Sequence, residues 1–169
     1  MTPWKAVGIG CVLLVLVLGL LIWEGRVPER FFTIGKLADI NFATLQRRDT
    51  PNQYLMCANQ LCKAYIDDLP PIYGATVDEV RAAWEKVLSR EPRVKELRRD
   101  LQATQIDYVQ RSRVWRFPDI ITIRFIAIGE KKTTIAIYSR SVYGQGDFGV
   151  NKARIRDWVG KLNAMLPLG

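Results

Sequence analysis

The sequence predicts an α+β fold, in which an antiparallel sheet of three to four strands packs with two helices and is preceded by one N-terminal transmembrane helix. Three observations support this prediction. The segment Ala6–Trp23 carries no charge, a helical pattern begins at Thr76, and alternating segments fill residues 104–141 before a second helical pattern. Consecutive strands with short connections favour antiparallel pairing over a doubly wound parallel sheet.

The composition limits what the protein can do. The chain has 169 residues, no histidine and a formal net charge of +8. A chain of this length provides one domain beyond a terminal membrane segment. The absence of histidine excludes His-based catalytic triads, His-ligated metals and imidazole proton shuttles. No carboxylate pair or nucleophile stands out either, so we expect a protein that is not an enzyme and that uses no metal or cofactor.

Residues 1–23 are predicted to form a membrane anchor. The 18 residues of Ala6–Trp23 would span roughly 27 Å as a helix, the lower end of what crosses a hydrocarbon core. Trp4 and Trp23 bracket the segment, as indoles do at the two membrane interfaces. A cleavable secretory signal is the alternative, but no small-x-small cleavage site follows the apolar run.

The flanking charges leave the orientation of the anchor open. Arg26, Arg30 and Lys36 follow the segment and favour a cytoplasmic domain, whereas the short basic head ending at Lys5 favours an extracytoplasmic one. We expect the extracytoplasmic side, which means a periplasmic or lumenal domain.

Cys57 and Cys62 bear on the same question. Their spacing suits neither a metal site nor a redox Cys-x-x-Cys pair. In an oxidising compartment they would form a short-loop disulfide. Two unlinked thiols are the alternative.

Residues 24–50 are predicted to be a linker or collar near the bilayer, with a short helix around residues 36–47. The soluble α+β domain then occupies residues 51–169 and begins with a short strand at residues 54–56. Thr76 and Glu79 form a capping-box pattern that begins the first helix, which Pro92 ends.

Three strands and a helix complete the predicted domain. Alternating and β-branched residues place strands at 104–113, 120–128 and 133–141, with a hairpin connection at 129–132. Asn151 is expected to cap a final helix, which Pro167 ends.

The loop before the final helix contains the pattern G-x-G-x-x-G at residues 144–149. A dinucleotide site would need a second parallel strand and an acidic residue about 20 positions later, and the remaining sequence supplies neither. A weaker anion site is conceivable, because amides at a helix start favour negative charge. Its candidate residues are Arg140, Gly146, Asn151, Lys152 and Arg154. In the alternative interpretation, the glycines only form the turn and the basic residues are solvated.

Basic residues are densest between Arg93 and Arg116. Nucleic-acid binding would use such a patch together with stacked aromatic residues. Beside a membrane anchor, attraction to anionic lipid head groups or to an acidic partner explains the patch better. We therefore expect a membrane partner and no nucleic acid.

The C-terminal half contains R-F-P-D at 116–119, Y-S-R-S at 138–141 and G-D-F-G-V-N-K-A-R at 146–154. This set resembles the membrane-associated family catalogued as domain of unknown function 1499. The resemblance implies a bacterial or plastid-type protein with a hydrophobic N-terminus and no established activity. The chain departs from the family pattern at Ile120, where a second Asp is common, and at Tyr138, where an Arg is usual.

Two functions follow as expectations. The first is a membrane-anchored accessory protein that binds or stabilises a membrane protein complex without catalysis. The second is a binding module for an anionic small molecule or lipid head group at the Arg140–Arg154 turn. In a structural interpretation of the same turn, Arg140 would pair with Asp147 or Asp119.

Overall fold

A computed structural model describes residues 11–20 and 29–169 of the chain. Residues 11–20 are helical, and the other residues of the predicted anchor, with residues 24–28 of the linker, lie outside the described part. Within the described residues, none of the helices combines the length and the apolar character that crossing a bilayer requires.

The domain is built on an antiparallel sheet of six strands. The strands are β1 (Gln53–Met56), β2 (Ile72–Tyr73), β3 (Val94–Arg99), β4 (Gln105–Arg111), β5 (Pro118–Gly129) and β6 (Lys132–Ser141). Their order is β1-β6-β5-β4-β3, and β2 pairs with the opposite half of β6 along the edge that β1 also uses. The predicted α+β class and antiparallel sheet are confirmed, but the predicted number of three to four strands is wrong.

The prediction missed β3 because its sequence does not resemble a buried strand. Its residues read V-K-E-L-R-R, and most of their side chains are exposed. The strand pairs with β4 at the edge of the sheet, with an irregular register between Glu96 and Arg98. Charged side chains at a sheet edge discourage pairing with other molecules. Because of these charged side chains, the strand lacks the alternation of apolar and polar residues by which a sequence indicates a strand.

Two helices, α1 (Val77–Leu88) and α2 (Val150–Asn163), cover one face of the sheet. The capping box of α1 is present, with Thr76 accepting from the Glu79 amide and Glu79 accepting from Thr76. The predicted cap of α2 is wrong. Gly149 occupies the cap position with φ of 77°, a left-handed conformation that glycine adopts without a Cβ clash, and Asn151 is buried in the first turn.

The main core lies between the helices and the sheet. Trp84 of α1 and Trp158 of α2 meet edge to face with ring centroids 5.8 Å apart. Both indoles are almost fully buried against aliphatic and aromatic side chains of the central strands. This contact joins the two helices above the sheet.

Residues 29–50, which we call the arm, cover the opposite face of the sheet. Phe42 is fully buried there, in a second apolar cluster with Leu55, Tyr138 and the Cys57–Cys62 disulfide. The expected helix around residues 36–47 is absent, since the arm contains only the 3-10 turn Glu29–Phe31 and a turn near residue 43. Contact with the sheet holds the arm in an irregular conformation.

Replacing Trp158 with alanine should lower the free energy of unfolding by about 3–5 kcal/mol, because the cavity would open beside Trp84 in the centre of the core. Urea unfolding of the full chain in mild detergent, followed by near-UV circular dichroism, measures this change. The control is Leu101→Ala, whose side chain is fully exposed and whose change should stay within about 0.5 kcal/mol. Equal effects of the two substitutions would contradict the assigned core.

Candidate functional site

The end of the sheet where β1 begins and β6 ends, which we call the motif end, gathers the family-like residues. Successive side chains of a strand point to opposite faces. Ser139 and Ser141 therefore face the helices, and Arg140 between them faces the arm. Their contacts agree, because Ser139 binds Asn151 of α2 whereas Arg140 binds Thr122 of β5.

Asn151 is the centre of a buried network on the helix side. The Ser139 hydroxyl donates to its Oδ1 at 2.5 Å, and its Nδ2 donates to Asp147 Oδ2 at 2.7 Å and to Ser141 Oγ at 3.1 Å. Nδ2 also lies 3.3 Å from the Asn52 carbonyl oxygen. The Asn151 side chain is fully buried and cannot contact water, so these protein groups are its hydrogen-bond partners instead. The network attaches the start of α2 to β6 and to the residue before β1.

Arg154 continues this network to β4 and β5. Its guanidinium donates to Asp119 Oδ2 at 2.5 Å, to Gln110 Oε1 at 2.5 Å and to Asn151 Oδ1 at 2.7 Å. The Arg154 and Asp119 side chains are only 7% and 14% exposed. A cation with this many acceptors has little left to offer a ligand. The arrangement is that of a structural ion pair.

The five predicted anion-site residues do not form one site. Asn151 and Arg154 are engaged inside the fold, and the Asn151 amide donates to Asp147, so it is not free. Gly146 and Lys152 are exposed and line a shallow depression of about 360 Å³ outside the network. Arg140 lies on the other face of the sheet. The expected pairing of Arg140 with Asp147 or Asp119 is also absent, because Arg154 takes Asp119 and Asn151 takes Asp147.

A second polar layer lies between the sheet and the arm. Asp107 is 2% exposed and accepts two hydrogen bonds from Arg98, at 2.9 and 2.7 Å. Thr122 donates to the other Asp107 oxygen at 2.5 Å and accepts from Arg140 at 3.2 Å. Arg98 also pairs with Asp39 of the arm. Asp107 thus accepts three hydrogen bonds, two from Arg98 and one from Thr122.

Arg140 differs from Arg98 and Arg154 because it has no carboxylate partner among the described residues. It lines a cleft of about 170 Å³ between β5, β6 and the arm, together with Lys36 and Arg48. Burial lowers the pKa of Arg140, Tyr138 and Asp107 oppose this shift, and the nearby charges of Arg48 and Arg98 add to it. No sequence pattern indicates Lys36 and Arg48 as site residues, because only the fold of the arm brings them to Arg140.

The surface of the motif end carries most of the exposed aromatic residues of the described chain. Five exposed aromatic residues lie there, namely Phe31, Trp115, Phe117, Tyr143 and Phe148. The sixth, Tyr65, lies in the connection between β1 and β2, where its carbonyl oxygen accepts from Arg47. Phe148 is fully exposed, although its backbone has φ of 52°. Left-handed conformations are unfavourable for a bulky residue. The opposite end of the sheet exposes aliphatic residues instead, including Leu101 and Ile128.

Ion pairs and ring contacts attach the first described residues of the arm to the motif end. Glu29 receives a hydrogen bond from Arg116 at 2.5 Å and lies 3.6 Å from Lys95. The Arg116 hydrogen bond lowers the pKa of Glu29, as do the charges of Lys95 and Arg111. The Phe32 ring packs on Phe117 with centroids 4.4 Å apart. The arm therefore starts at this end of the domain.

Comparison with known proteins gives the family of this chain. The family model described as protein of unknown function (DUF1499) matches residues 46–162. This range includes β1 to β6, α1, all but the last residue of α2 and the whole Asn151 network. The chain belongs to this family. No curated protein and no solved structure matches it. The DUF1499 match includes Arg48 but not Lys36 or the first half of the arm.

Replacing Arg154 with methionine should destabilise the domain by about 3–5 kcal/mol, because Asp119 would keep a partly buried charge without its cation. Urea unfolding of the full chain measures the loss. The matched control is Arg113→Met, since Arg113 is exposed and should change stability by no more than about 0.5 kcal/mol. Adding Asp119→Asn to Arg154→Met should cost less than the sum of the two single changes. Additive costs would show that the pair is not coupled.

Proposed function

We propose that this protein is a non-enzymatic, membrane-anchored accessory protein whose domain rests on an anionic bilayer through the motif end. The observation that carries the proposal is the concentration of exposed aromatic residues at the end of the domain where the arm begins. Trp and Tyr favour the membrane interface, and exposed apolar side chains there add favourable burial. An isolated soluble domain gains nothing from exposing Trp115 and Phe148.

The covalent connection supports the same orientation. Trp23, the last residue of the apolar segment, precedes Glu29 by six positions. Six residues reach at most about 20 Å when fully extended. Glu29 is held at the motif end by Arg116 and Lys95. If Ala6–Trp23 spans the bilayer, the motif end is the part of the domain nearest to the surface.

The charge of the motif end favours anionic lipid over a neutral surface. Arg30, Arg93 and Arg113 are exposed there. Glu29 and Asp119, two acidic groups at this end, are already paired with arginines. Each basic residue close to an anionic membrane contributes about 1 kcal/mol. Aromatic insertion and basic attraction therefore act on the same surface.

Depth-dependent quenching tests the docking. Phe148→Cys and Leu101→Cys are placed separately in the full chain with Cys11→Ala, labelled with a small fluorophore and reconstituted into vesicles with shallow doxyl-lipid quenchers. We expect strong quenching at position 148 and little at position 101, because only the motif end meets the lipid. Replacing part of the phosphatidylcholine with phosphatidylglycerol should increase quenching at position 148. The two sites are matched, since both original side chains are fully exposed.

Equal quenching at the two positions would refute the docking proposal. So would the absence of quenching at both positions together with a stoichiometric protein partner that copurifies in mild detergent. That outcome would favour a protein complex as the occupant of the motif end.

The disulfide supports an extracytoplasmic domain, because disulfides persist in oxidising compartments and are rare in the cytosol. In intact cells that make the chain with Cys11→Ala and Leu101→Cys, a membrane-impermeant maleimide should label position 101 without lysis, because this position is fully exposed whereas Cys57 and Cys62 are buried and bonded to each other. Labelling that requires cell lysis would place the domain in the cytoplasm.

A further inference from the structure

The cleft lined by Lys36, Arg48 and Arg140, which we call the Arg140 cleft, collects positive charge without a matching carboxylate. None of the ion pairs of the described residues includes any of the three. Lys36 and Arg48 are exposed at the mouth, whereas Arg140 is largely buried at the inner side. A cation removed from water is costly unless a counter-charge or several acceptors replace the water.

Arg140 is held in place but not neutralised. Its guanidinium lies 5.0 Å from the centre of the Tyr138 ring and donates one hydrogen bond, at 3.2 Å, to Thr122. Arginine carries five N–H donors in a rigid fork. Contacts with a neutral ring and a hydroxyl fix the orientation of the fork and leave most of its donors without an acceptor among the described residues.

Arg48 is positioned near Arg140 by Gln53, the β1 residue that lies opposite Arg140 in the sheet. Gln53 Nε2 donates to the Arg48 carbonyl oxygen at 2.5 Å and to that of Thr50 at 2.7 Å, while Gln53 Oε1 accepts from the Tyr138 hydroxyl. The Arg48 guanidinium donates to the Ser141 carbonyl oxygen at 2.6 Å, next to Arg140 in sequence. Since Gln53 is buried, the two arginines are set relative to each other by the fold and not by chance surface contact.

The shape of the cleft suits a compact group. Its volume is about 170 Å³, which corresponds to roughly five or six water molecules at about 30 Å³ each. Apolar side chains, including Leu37, Ile120 and Val142, complete its walls. Two arginine forks and a lysine match the several oxygens and the double charge of a phosphate better than a carboxylate.

We propose that the Arg140 cleft binds a phosphate group, either of a small phosphomonoester or of a phospholipid head group. Arg140 and Arg48 donate to the phosphate oxygens, and Lys36 adds charge at the mouth. The proposal does not depend on membrane docking, since the cleft lies between the sheet and the arm and uses none of the exposed aromatic residues of the motif end.

Titration with inorganic phosphate tests the site. The full chain is kept in maltoside micelles, which contain no phosphate, at constant ionic strength, and binding is followed by calorimetry. We expect saturable binding of one phosphate per chain and weaker binding of acetate. Arg140→Gln and Arg48→Gln should each weaken phosphate binding at least about tenfold, the loss expected for one charge-assisted hydrogen bond. Absence of saturable binding by the unmodified chain would overturn the proposal.

Arg124→Gln is the matched control. Arg124 is a partly buried arginine of β5 whose strand position places it on the same face as Thr122, and it does not line the cleft. Its replacement should leave phosphate affinity unchanged. If Arg124→Gln weakens phosphate binding as much as Arg140→Gln does, the binding is a general effect of positive charge and the proposal fails.

Thermal stability separates a binding role from a structural one. Without phosphate, Arg140→Gln should unfold at the same temperature as the unmodified chain or higher, because Arg140 forms no ion pair with any described residue and its burial disfavours the charged form. With phosphate, only the unmodified chain and Arg124→Gln should gain stability. A lower unfolding temperature of Arg140→Gln in the absence of phosphate, without any difference in phosphate affinity, would identify Arg140 as structural and refute the site.

The source of the phosphate is decided by competition. A short-chain phosphatidic acid should displace inorganic phosphate from the cleft if the natural ligand is a lipid, and glycerol phosphate should displace it better if the ligand is soluble. Arg140→Gln should not change the quenching of a label at position 148, so failure of this proposal and failure of membrane docking give different results.

Discussion

The buried side-chain amide of Asn151 determines the geometry of the motif end. A fully buried side-chain amide needs partners for its donors and its acceptor, and Asn151 finds them on β6, on the loop before α2 and at the start of β1. These partners exist only if Ser139 and Ser141 face the helices. Strand alternation then requires Arg140 to face the arm. The same amide that fixes α2 therefore also directs an arginine into the opposite layer.

The two polar layers differ in whether their arginines are paired with carboxylates. On the helix side, Arg154 is matched by Asp119 and by neutral acceptors, and the layer is closed. On the arm side, Asp107 accepts hydrogen bonds from Arg98 and from the Thr122 hydroxyl. Among the described residues, Arg140 donates only to that same neutral hydroxyl. Asp107 and Asp39 both form ion pairs with Arg98, whereas in the described part of the chain Arg140 forms none and receives only a Coulombic contribution from Asp107. A chain of contacts therefore runs from Asp39 through Arg98, Asp107 and Thr122 to Arg140, which lines an open cleft.

Local patterns predicted the elements whose stability is local. The capping box of α1 and the β5–β6 hairpin depend on residues close in sequence, and both are present. The charged edge strand β3 escaped prediction because the pairing with β4, not the burial of an apolar face, makes it a strand. The sequence predicts a linker where the arm lies, because the only fully buried large side chain of the arm, Phe42, packs on residues that are distant in sequence.

The motif places Arg140, Asn151 and Arg154 close together in the sequence, but the structure separates Arg140 from the other two. Arg154 binds Asn151 on the helix side of the sheet, whereas Arg140 binds Thr122 on the arm side. One strand position separates Arg140 from Ser139, and that single step moves a side chain from one face of the sheet to the other. No sequence pattern could have brought in Arg48, since it lies 92 positions before Arg140 and is held beside it by contacts with Gln53 and with the Ser141 carbonyl oxygen.

The arm makes the two proposed surfaces parts of one structure. Its first residues are paired with Arg116 and Lys95 at the motif end, and its middle residues form one wall of the Arg140 cleft. The ion pairs of Glu29 and the ring contact between Phe32 and Phe117 therefore fix the arm to the motif end four positions before Lys36. The wall of the Arg140 cleft is thus attached on both sides, by Glu29 and Phe32 before it and by the buried Phe42 after it.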